Sequence, residues 1–256
     1  MKAVWTEGGC SIVISGKMAI GSRARRYTLP VKSPAWYAAA LLREYLQSEG
    51  ISILGRTRVG AAPSRVRQLA ENRDPILDVC RWMNKDSDNF AAEMVLRSLG
   101  AKSGGPPGTL EKGVEAIDKF LDQAGIARTS HRIHDASGIS HQNAVSADAF
   151  VTLLRYMCTR RDLFEAFYST LPSAGVDGTL RGRMTGTEAA GNLRAKTGTL
   201  NGVTSLAGYV KSADDELLIF SITSQDIPSG KKRYKSLQDK IGVILANFSR
   251  DRFSGD

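Results

Sequence analysis

The chain has 256 residues, 42% of them hydrophobic and 24% charged, and this balance predicts one or two folded domains. It excludes a disordered, collagenous or coiled-coil protein. No run approaches the roughly 18 apolar residues that a membrane-spanning helix requires. Because Glu7 and two glycines lie where a signal peptide would place its apolar segment, we expect no signal peptide in this chain.

The net charge of +9 favours an anionic partner, such as nucleic acid, acidic lipid or an acidic cell-wall polymer. The basic residues are scattered, however, and the two densest runs, at 23–26 and 231–235, are short. A solvated basic surface is therefore the simpler interpretation. We do not expect nucleic acid to be the partner, although a cationic nucleic-acid binder remains an alternative.

Neither the cysteines nor the histidines form a recognisable metal motif. The cysteines are three and widely spaced: Cys10, Cys80 and Cys158. Since three widely spaced cysteines do not form a disulfide framework, we expect free thiols. We expect the thiols of Cys80 and Cys158 to be buried, because both residues lie in apolar helical patterns. The histidines are close in sequence but lack cysteine or acidic neighbours at ligand spacing: His131, His134 and His141. We therefore predict no metal site and no cofactor.

Apolar spacing and capping residues predict the elements in chain order. Short β-like pieces occur at 11–15 and 26–31, and residues 51–60 read as another strand. Ser33-Pro34 begins a helix that Gly50 ends, since Ser caps helices and Pro fits their first turn. Five more helices and a short strand follow. The helices are predicted from Asp74-Pro75 onward, at 89–99, from Thr109 to Gly125, from Ser146 to Met157 and at about 162–168, and the strand at 131–135.

The last third of the sequence changes to a strand pattern. Residues 193–199, 203–212 and 216–224 are apolar-rich stretches joined by short turns, which predicts an antiparallel meander. A helical middle followed by such a sheet, with a helix across it, is an α+β layout. That final helix is predicted at 231–248, with its apolar face on Tyr234, Leu237, Ile241, Ile244, Leu245 and Phe248.

Two short motifs carry the chemistry. Ser87-Asp88-Asn89 lies between two predicted helices, and Lys196-Thr197-Gly198 ends a predicted strand. Each is weak alone, because Ser and Asp commonly cap helices and Lys-Thr-Gly could end any strand. Together, in this order and 109 residues apart, they match a motif pair of penicillin-binding proteins and class A β-lactamases.

Four longer stretches are more specific: SDNFAAEMVLRSLG at 87–100, DASGIS at 135–140, LPSAGVDGTLRGRM at 171–184 and AAGNLRAKTGTLNGVTSLAGYV at 189–210. They resemble the D-alanyl-D-alanine carboxypeptidase/endopeptidase family, peptidase family S13, of class C low-molecular-mass penicillin-binding proteins. The resemblance covers roughly residues 33–224. It implies a serine β-lactamase/penicillin-binding-protein transpeptidase-like fold, α+β, with an antiparallel sheet flanked by helices and an all-helical subdomain. Residues 1–32 would be the tail of an inserted accessory region, and residues 33–256 an incomplete catalytic domain.

The resemblance also implies an acyl-enzyme peptidase that acts on peptidoglycan peptides ending in D-Ala-D-Ala, binds β-lactams and lies in the periplasm or elsewhere outside the cytoplasm. Lys196 would neutralise the terminal carboxylate or assist proton movement, and the hydroxyls of Thr197 and Thr199 would bind the same carboxylate. Gly198 would let the ligand approach the backbone. The strand at 193–199 would pair with the extended substrate.

Further roles follow from the same resemblance. The Thr199 backbone N–H would supply half of an oxyanion hole. Ser87 would relay a proton to or from the leaving amine, and Asn89 would hold the substrate amide or the general-base lysine. Asp88 would be structural. Two more residues have two possible roles: Asp135 and Ser137 either bind substrate or tie a turn by side-chain-to-backbone hydrogen bonds. We prefer the turn.

One part of the family pattern is missing. The nucleophile should be the Ser of an S-x-x-K motif upstream of Ser87, but no serine before it has Lys three residues later. The S-x-x-K match at Ser229–Lys232 lies after Lys-Thr-Gly in a Pro/Gly loop, so we interpret it as a chance match. We therefore expect the C-terminal portion of a longer protein, without covalent catalysis of its own. The alternatives are a non-catalytic fragment that binds acidic cell-wall polymer and, less favoured, a nucleic-acid binder.

Overall fold

The computed structural model describes residues 2–6, 9–13, 15–24, 26, 29–61 and 65–251. The chain forms two compact units, Met1–Glu71 and Asn72–Asp256. The first unit ends at residue 71, whereas the sequence predicts that the tail of an accessory region ends at residue 32. That boundary stays a prediction.

The first unit contains a hairpin and a helix. Strand β1 (Lys2–Thr6) pairs antiparallel with β2 (Gly9–Val13), so the β-like piece predicted at 11–15 lies partly in a strand. Residues 27 and 28 of the piece at 26–31 lie outside the described residues, and its other residues are not in a strand. Helix α1 (Pro34–Ser48) begins with Pro34 at its first position, as predicted.

The strand predicted at 51–60 is wrong, because the backbone there is irregular. Arg43 on α1 donates from Nη2 to the carbonyl of Ile53 at 2.7 Å, and from Nη1 to the carbonyl of Gly55. The Arg43 side chain thus donates hydrogen bonds to two backbone carbonyls that, in a sheet, would accept hydrogen bonds from a neighbouring strand. An apolar alternation becomes a strand only where a partner supplies the ladder hydrogen bonds.

In the second unit, the helices predicted between residues 74 and 168 and the three strands of the meander are present, with boundaries shifted by a few residues. The helices are α2 (Ile76–Asp86), α3 (Asn89–Gly104), α4 (Leu110–Gln123), α5 (Ala147–Thr159), α6 (Phe164–Thr170) and α7 (Lys231–Ala246). The strands are β3 (His131–Arg132), β4 (Ala144–Val145), β5 (Arg194–Leu200), β6 (Val203–Lys211) and β7 (Leu217–Ser224). None of the helices within the described ranges combines the length and apolar character that crossing a membrane demands.

Helix α3 extends beyond its predicted end. The sequence predicts that Gly100 stops the helix, but α3 continues to Gly104. A Cβ at Gly100 would lie 2.8 Å from the backbone nitrogen of Gly113 on α4 and 2.9 Å from the carbonyl of Thr109. The close packing of two helices therefore explains this glycine, and chain termination does not.

Strands β5, β6 and β7 form an antiparallel sheet with β6 in the centre, which confirms the predicted meander and the α+β class. The main buried cluster joins one face of this sheet to α7 through Ala195, Leu206 and Phe220, which pack with Ala246 of the helix. Since side chains alternate along a strand, Lys196 lies on the opposite face.

Helix α7 packs on the sheet with a face that only partly overlaps the predicted one: Leu245 packs against the main cluster as predicted, but two other residues of that face do not. Its buried residues share an i, i+4 spacing: Gln238, Gly242 and Ala246. Leu237 and Ile244, which the sequence predicts in the core, are 51% and 66% exposed. A Cβ at Gly242 would lie 2.8 Å from the side chain of Leu193, so glycine lets the helix approach the sheet closely. The buried face of α7 thus combines two small residues with Gln238, whose side chain accepts a hydrogen bond from Arg183 and contacts Thr204 Oγ1, so apolar periodicity alone does not predict it.

An aromatic cluster covers one end of the other sheet face. Tyr209 of β6 is fully buried, and its hydroxyl donates to the carbonyl of Leu154 on α5 at 2.8 Å. The rings of Phe164 and Phe167 on α6 pack edge to face against the Tyr209 ring. This cluster fixes α5 and α6 on the sheet face that also carries Lys196.

Candidate active site

The turn that carries Ser87 is held between two helices. Ser87 ends α2 in the left-handed backbone region, with φ at 55°. Asp88 caps α3, because its carboxylate accepts a hydrogen bond from the Ala91 backbone N–H at 2.7 Å. This confirms the structural role predicted for Asp88. The side chains of Ser87 and Asn89 are exposed on this turn.

Lys196 reaches Ser87 across 109 positions of the sequence. Its Nζ donates to Ser87 Oγ at 2.7 Å and to the carbonyl of Thr197 at 3.0 Å. Burial lowers the pKa of the Lys196 amine below its ordinary value. The protonated amine can neutralise an anion, and its lowered pKa and its contact with a hydroxyl suit it to move a proton. Asn89 makes no hydrogen bond to Lys196 among the described residues, so its role stays a prediction.

Strand β5 presents an open edge beside this pair. The Ala195 N–H donates to the carbonyl of Pro172 at 3.0 Å, on the side away from β6. Because the strand has a period of two, the N–H groups of Thr197 and Thr199 point to that same side. Beyond the contact with residues 172–174, no described strand pairs with it. An extended peptide could therefore add to the sheet at this edge.

Neighbouring residues contact the side chains of the Lys-Thr-Gly motif. Thr197 Oγ1 donates to Thr179 Oγ1 at 2.9 Å, so the loop before β5 holds the threonine hydroxyl. A Cβ at Gly198 would lie 2.2 Å from Ser205 Oγ on β6. The Ser205 hydroxyl would have to rotate to admit a Cβ, so access for the ligand stays the predicted reason for glycine at this position.

A groove of about 1030 Å³ lies next to the motif. It is lined by Gly198 and Thr199 of β5, by Ser205 of β6 and by residues of the segment 129–146. Concave sites of several hundred Å³ are typical of ligand binding. The groove and the open edge of β5 together form a candidate peptide-binding site.

Asp135 organises a turn. Its carboxylate accepts hydrogen bonds from the backbone N–H groups of Gly138 at 2.6 Å and Ser140 at 2.8 Å, and from Asn143 Nδ2 at 2.9 Å. Burial raises the pKa of the Asp135 carboxyl, but the hydrogen bonds outweigh burial and hold the pKa below its ordinary value. Asp135 therefore ties the turn, which is the role preferred from the sequence. Contact of its carboxylate with substrate stays a prediction.

Ser137 belongs to the same turn, which α3 holds from outside. The backbone N–H groups of Ala136 and Ser137 each donate to Glu93 Oε1 at 3.0 Å. Sequence reasoning missed Glu93, although it lies one helical turn after Asn89 and hence on the same side of α3. Binding of substrate by the Ser137 hydroxyl stays a prediction.

The model of the D-Ala-D-Ala carboxypeptidase 3 (S13) family matches residues 3–248 of this chain. The chain belongs to this family. The D-alanyl-D-alanine carboxypeptidase of Actinomadura sp. (strain R39) is 32% identical over an alignment of 251 residues; the match covers 94% of this chain and 46% of that protein. The D-alanyl-D-alanine carboxypeptidase DacB of Haemophilus influenzae is 29% identical over an alignment of 231 residues; this match covers 85% of this chain and 48% of that protein.

A solved structure gives the same assignment. The crystal structure of penicillin-binding protein 4 from Haemophilus influenzae, in complex with a β-lactam, matches with a TM-score of 0.76 at 27% identity. The match covers 86% of this chain and 53% of that one. The predicted penicillin-binding-protein fold is thus confirmed. The chain spans about half the length of the curated relatives that it matches.

The S-x-x-K match lies apart from the family's motif residues. Ser229 and Lys232 are exposed; Ser229 lies two residues before the start of α7, and Lys232 lies in its first turn. That helix packs on the sheet face opposite Lys196. This placement agrees with the interpretation as a chance match.

Two of the three cysteines have side chains that the structure describes. Cys80 and Cys158 are free and half-buried, and burial raises the pKa of both. The side chain of Cys10 lies outside the described residues. Within the described ranges, no three histidine, cysteine or carboxylate side chains are grouped so as to hold a metal ion.

Replacing Asp135 by Asn is expected to lower the free energy of unfolding at pH 7 by about 1–3 kcal/mol, because a charged acceptor of several hydrogen bonds is lost. Its pKa is lower in the folded chain, so its stabilisation is present above the unfolded pKa of about 3.9 and is lost as the pH falls through the folded value. Urea unfolding at pH 7 and at pH 3 should show the difference from the native chain shrinking at pH 3. The control Glu188→Gln removes an exposed carboxylate and should show little difference at either pH; an undiminished Asp135→Asn difference at pH 3 would contradict the account.

Proposed function

We propose that this chain supplies Ser87, Asn89 and Lys196 to a serine-type D-Ala-D-Ala carboxypeptidase or endopeptidase site that acts on peptidoglycan stem peptides through an acyl-enzyme and also binds β-lactams. The observation that carries the proposal is the 2.7 Å hydrogen bond from Lys196 Nζ to Ser87 Oγ beside an open strand edge. It joins the family's two motifs in one site. Because stem peptides lie outside the cytoplasm, we infer an extracytoplasmic or periplasmic site of action.

The substrate is proposed to bind as an added strand. Its extended backbone would pair with the N–H groups on the open side of β5, and its terminal carboxylate would meet Lys196 and the hydroxyls of Thr197 and Thr199. The Thr199 N–H points away from β6 and would donate to an oxyanion that develops during acyl transfer. Gly198 keeps this part of the strand free of a side chain.

Ser87 and Lys196 would move the proton. Their hydrogen bond would let a proton pass between the amine and the hydroxyl, and a leaving amine could reach Ser87 because this residue is exposed. Because burial lowers the pKa of Lys196, its amine loses a proton at a smaller free-energy cost than the amine of an exposed lysine does. Asn89, two residues after Ser87, would hold the substrate amide or the general-base lysine.

The nucleophile is proposed to lie outside these 256 residues. No S-x-x-K motif precedes Ser87, and Ser229 is exposed beside a helix on the other face of the sheet. The family's nucleophile is a serine activated by the lysine of that motif, and without it an acyl-enzyme cannot form. The 256 residues would then provide the ligand-binding and proton-relay half of the site.

Covalent labelling by a fluorescent penicillin tests this proposal. The 256-residue chain is expected to take up no label, whereas an extended form that also carries an S-x-x-K serine ahead of these residues is expected to be labelled. Ser229→Ala is the matched control and should leave the extended form fully labelled. An extended form that carries S-x-x-K yet takes up no label would contradict the proposal. Tight DNA binding with a steep salt dependence would instead support the nucleic-acid alternative.

A further inference from the structure

The loop at 173–181, named here the support loop, connects the two halves of the candidate site. It is tied to β5, because Ala174 N–H donates to the carbonyl of Leu193 at 2.9 Å and Ser173 bridges to Arg194. Near its other end, Thr179 Oγ1 accepts the hydrogen bond of Thr197 at 2.9 Å. The loop is therefore fixed to the strand that carries Lys196.

The support loop is also tied to the helix that carries Ser87. Lys85, two residues before Ser87, donates from Nζ to Asp177 Oδ2. The two side chains are largely buried, with 19% and 31% of their areas exposed. The other oxygen, Asp177 Oδ1, accepts from the Ser173 backbone N–H at 2.9 Å. Asp177 thus joins the start of the loop to the last turn of α2.

The charge of Asp177 is maintained by its partners. Burial raises the pKa of its carboxyl, but the hydrogen bonds from Lys85 and Ser173 and the positive charges of Lys85 and Arg194 outweigh burial, so the pKa lies below its ordinary value. Removing one partner of a largely buried ion pair destabilises the folded structure, because the other partner is left charged and unpaired. The link between the support loop and α2 therefore depends on both side chains.

A close backbone contact lies beside this ion pair. Gly178 has φ at +54°, and a Cβ there would lie 2.7 Å from the carbonyl oxygen of Lys85. The loop thus lies directly against the last turn of α2, at a distance that only glycine permits. The position of the support loop therefore bears directly on the end of α2, two residues before Ser87.

We propose that Asp177 and Lys85 are positioning residues that hold Ser87 within hydrogen-bond distance of Lys196. The inference rests on the proposed function, and neither residue touches the expected substrate. The ion pair sets the position of the α2 terminus against the support loop, and Thr179 sets the loop against β5. The 2.7 Å contact between Ser87 and Lys196 is the result of these two attachments.

The titration of the Lys196 amine in the 256-residue chain tests the proposal without substrate. It is followed by NMR of isotope-labelled lysine side chains, with Lys196→Arg used to assign the signal. In Asp177→Asn and in Lys85→Met, the α2 terminus should move away and water should reach the amine. Because burial is what lowers the pKa of Lys196, the midpoint should then rise by at least about half a pH unit in both variants.

The paired variants separate positioning from a direct charge effect. Asp177→Asn removes a negative charge and Lys85→Met removes a positive one, so a direct electrostatic effect would shift the Lys196 midpoint in opposite directions. The matched controls are Glu115→Gln and Lys119→Met, which break an exposed ion pair on α4 and should leave the midpoint unchanged.

Two results would overturn the proposal. One is an unchanged Lys196 midpoint in folded Asp177→Asn and Lys85→Met chains, even if their thermal unfolding temperature falls, because the pair would then be structural only. The other is a pair of shifts of opposite sign. Failure of penicillin labelling would instead count against the proposed function alone, since the titration requires neither acylation nor substrate.

Discussion

Replacing Lys196 by Ala is expected to slow covalent labelling by penicillin at least about a thousandfold in the extended, nucleophile-bearing form of the protein. The Lys196 amine contacts the Ser87 hydroxyl at 2.7 Å and lies beside the strand edge proposed to bind the ligand. Its loss removes the cation that would hold the ligand carboxylate and one partner of the proton relay. A time course of labelling with fluorescent penicillin measures the effect.

The same variant should retain its fold. Because burial lowers the pKa of Lys196, holding this amine charged does not stabilise the folded chain, and Ala should change the free energy of unfolding by no more than about 1 kcal/mol. Far-UV circular dichroism and urea unfolding check this expectation. Lys119→Ala on the exposed side of α4 is the control and should label at the native rate. Native-rate labelling by Lys196→Ala would refute the role assigned to this lysine.

Replacing Tyr209 by Ala is expected to lower the free energy of unfolding by about 3–5 kcal/mol, since a large buried ring leaves a cavity when it is removed. Tyr209 is fully buried, and its ring packs edge to face against Phe164 and Phe167. Its hydroxyl also donates to the Leu154 carbonyl at 2.8 Å. The variant should therefore loosen α5 and α6 from the sheet, and urea unfolding measures the loss.

Tyr209→Phe separates the ring from the hydroxyl. It keeps the edge-to-face packing but leaves the Leu154 carbonyl without this donor, so a loss of about 1–2 kcal/mol is expected. Equal losses in the two variants would contradict the packing argument, because the ring would then contribute nothing beyond its hydrogen bond. The comparison also shows how strongly the helices are held on the sheet face that carries Lys196.

Several helix starts could be predicted because their determinants are local. Thr109 accepts a hydrogen bond from the Lys112 N–H at 3.3 Å, and Ser146 accepts one from the Ala149 N–H at 3.0 Å. Each cap requires only residues three positions apart, so the sequence already contains both partners. The meander was predictable for a similar reason, since short turns join strands that pair with their sequence neighbours.

Other elements could not be predicted because distant residues decide them. Gly100 is read locally as a helix stop, yet its place is set by the approach of α4 at Gly113. The sequence predicts Leu237 and Ile244 of α7 in the core, yet both are exposed, because the helix instead turns Gln238, Gly242 and Ala246 toward the sheet. In both cases packing between elements outweighs a pattern within one element.

The candidate site divides in the same way. The sequence by itself determined the two motifs, the family resemblance and the residue types that can bind a carboxylate or move a proton. Only the tertiary structure decided that Lys196 meets Ser87, that Asp135 and Ser137 belong to a turn held by Glu93, and that Asp177 joins the support loop to α2. These contacts join residues from 43 to 109 positions apart, so packing of whole elements sets them, whereas motif chemistry depends on side chains that are adjacent in the chain.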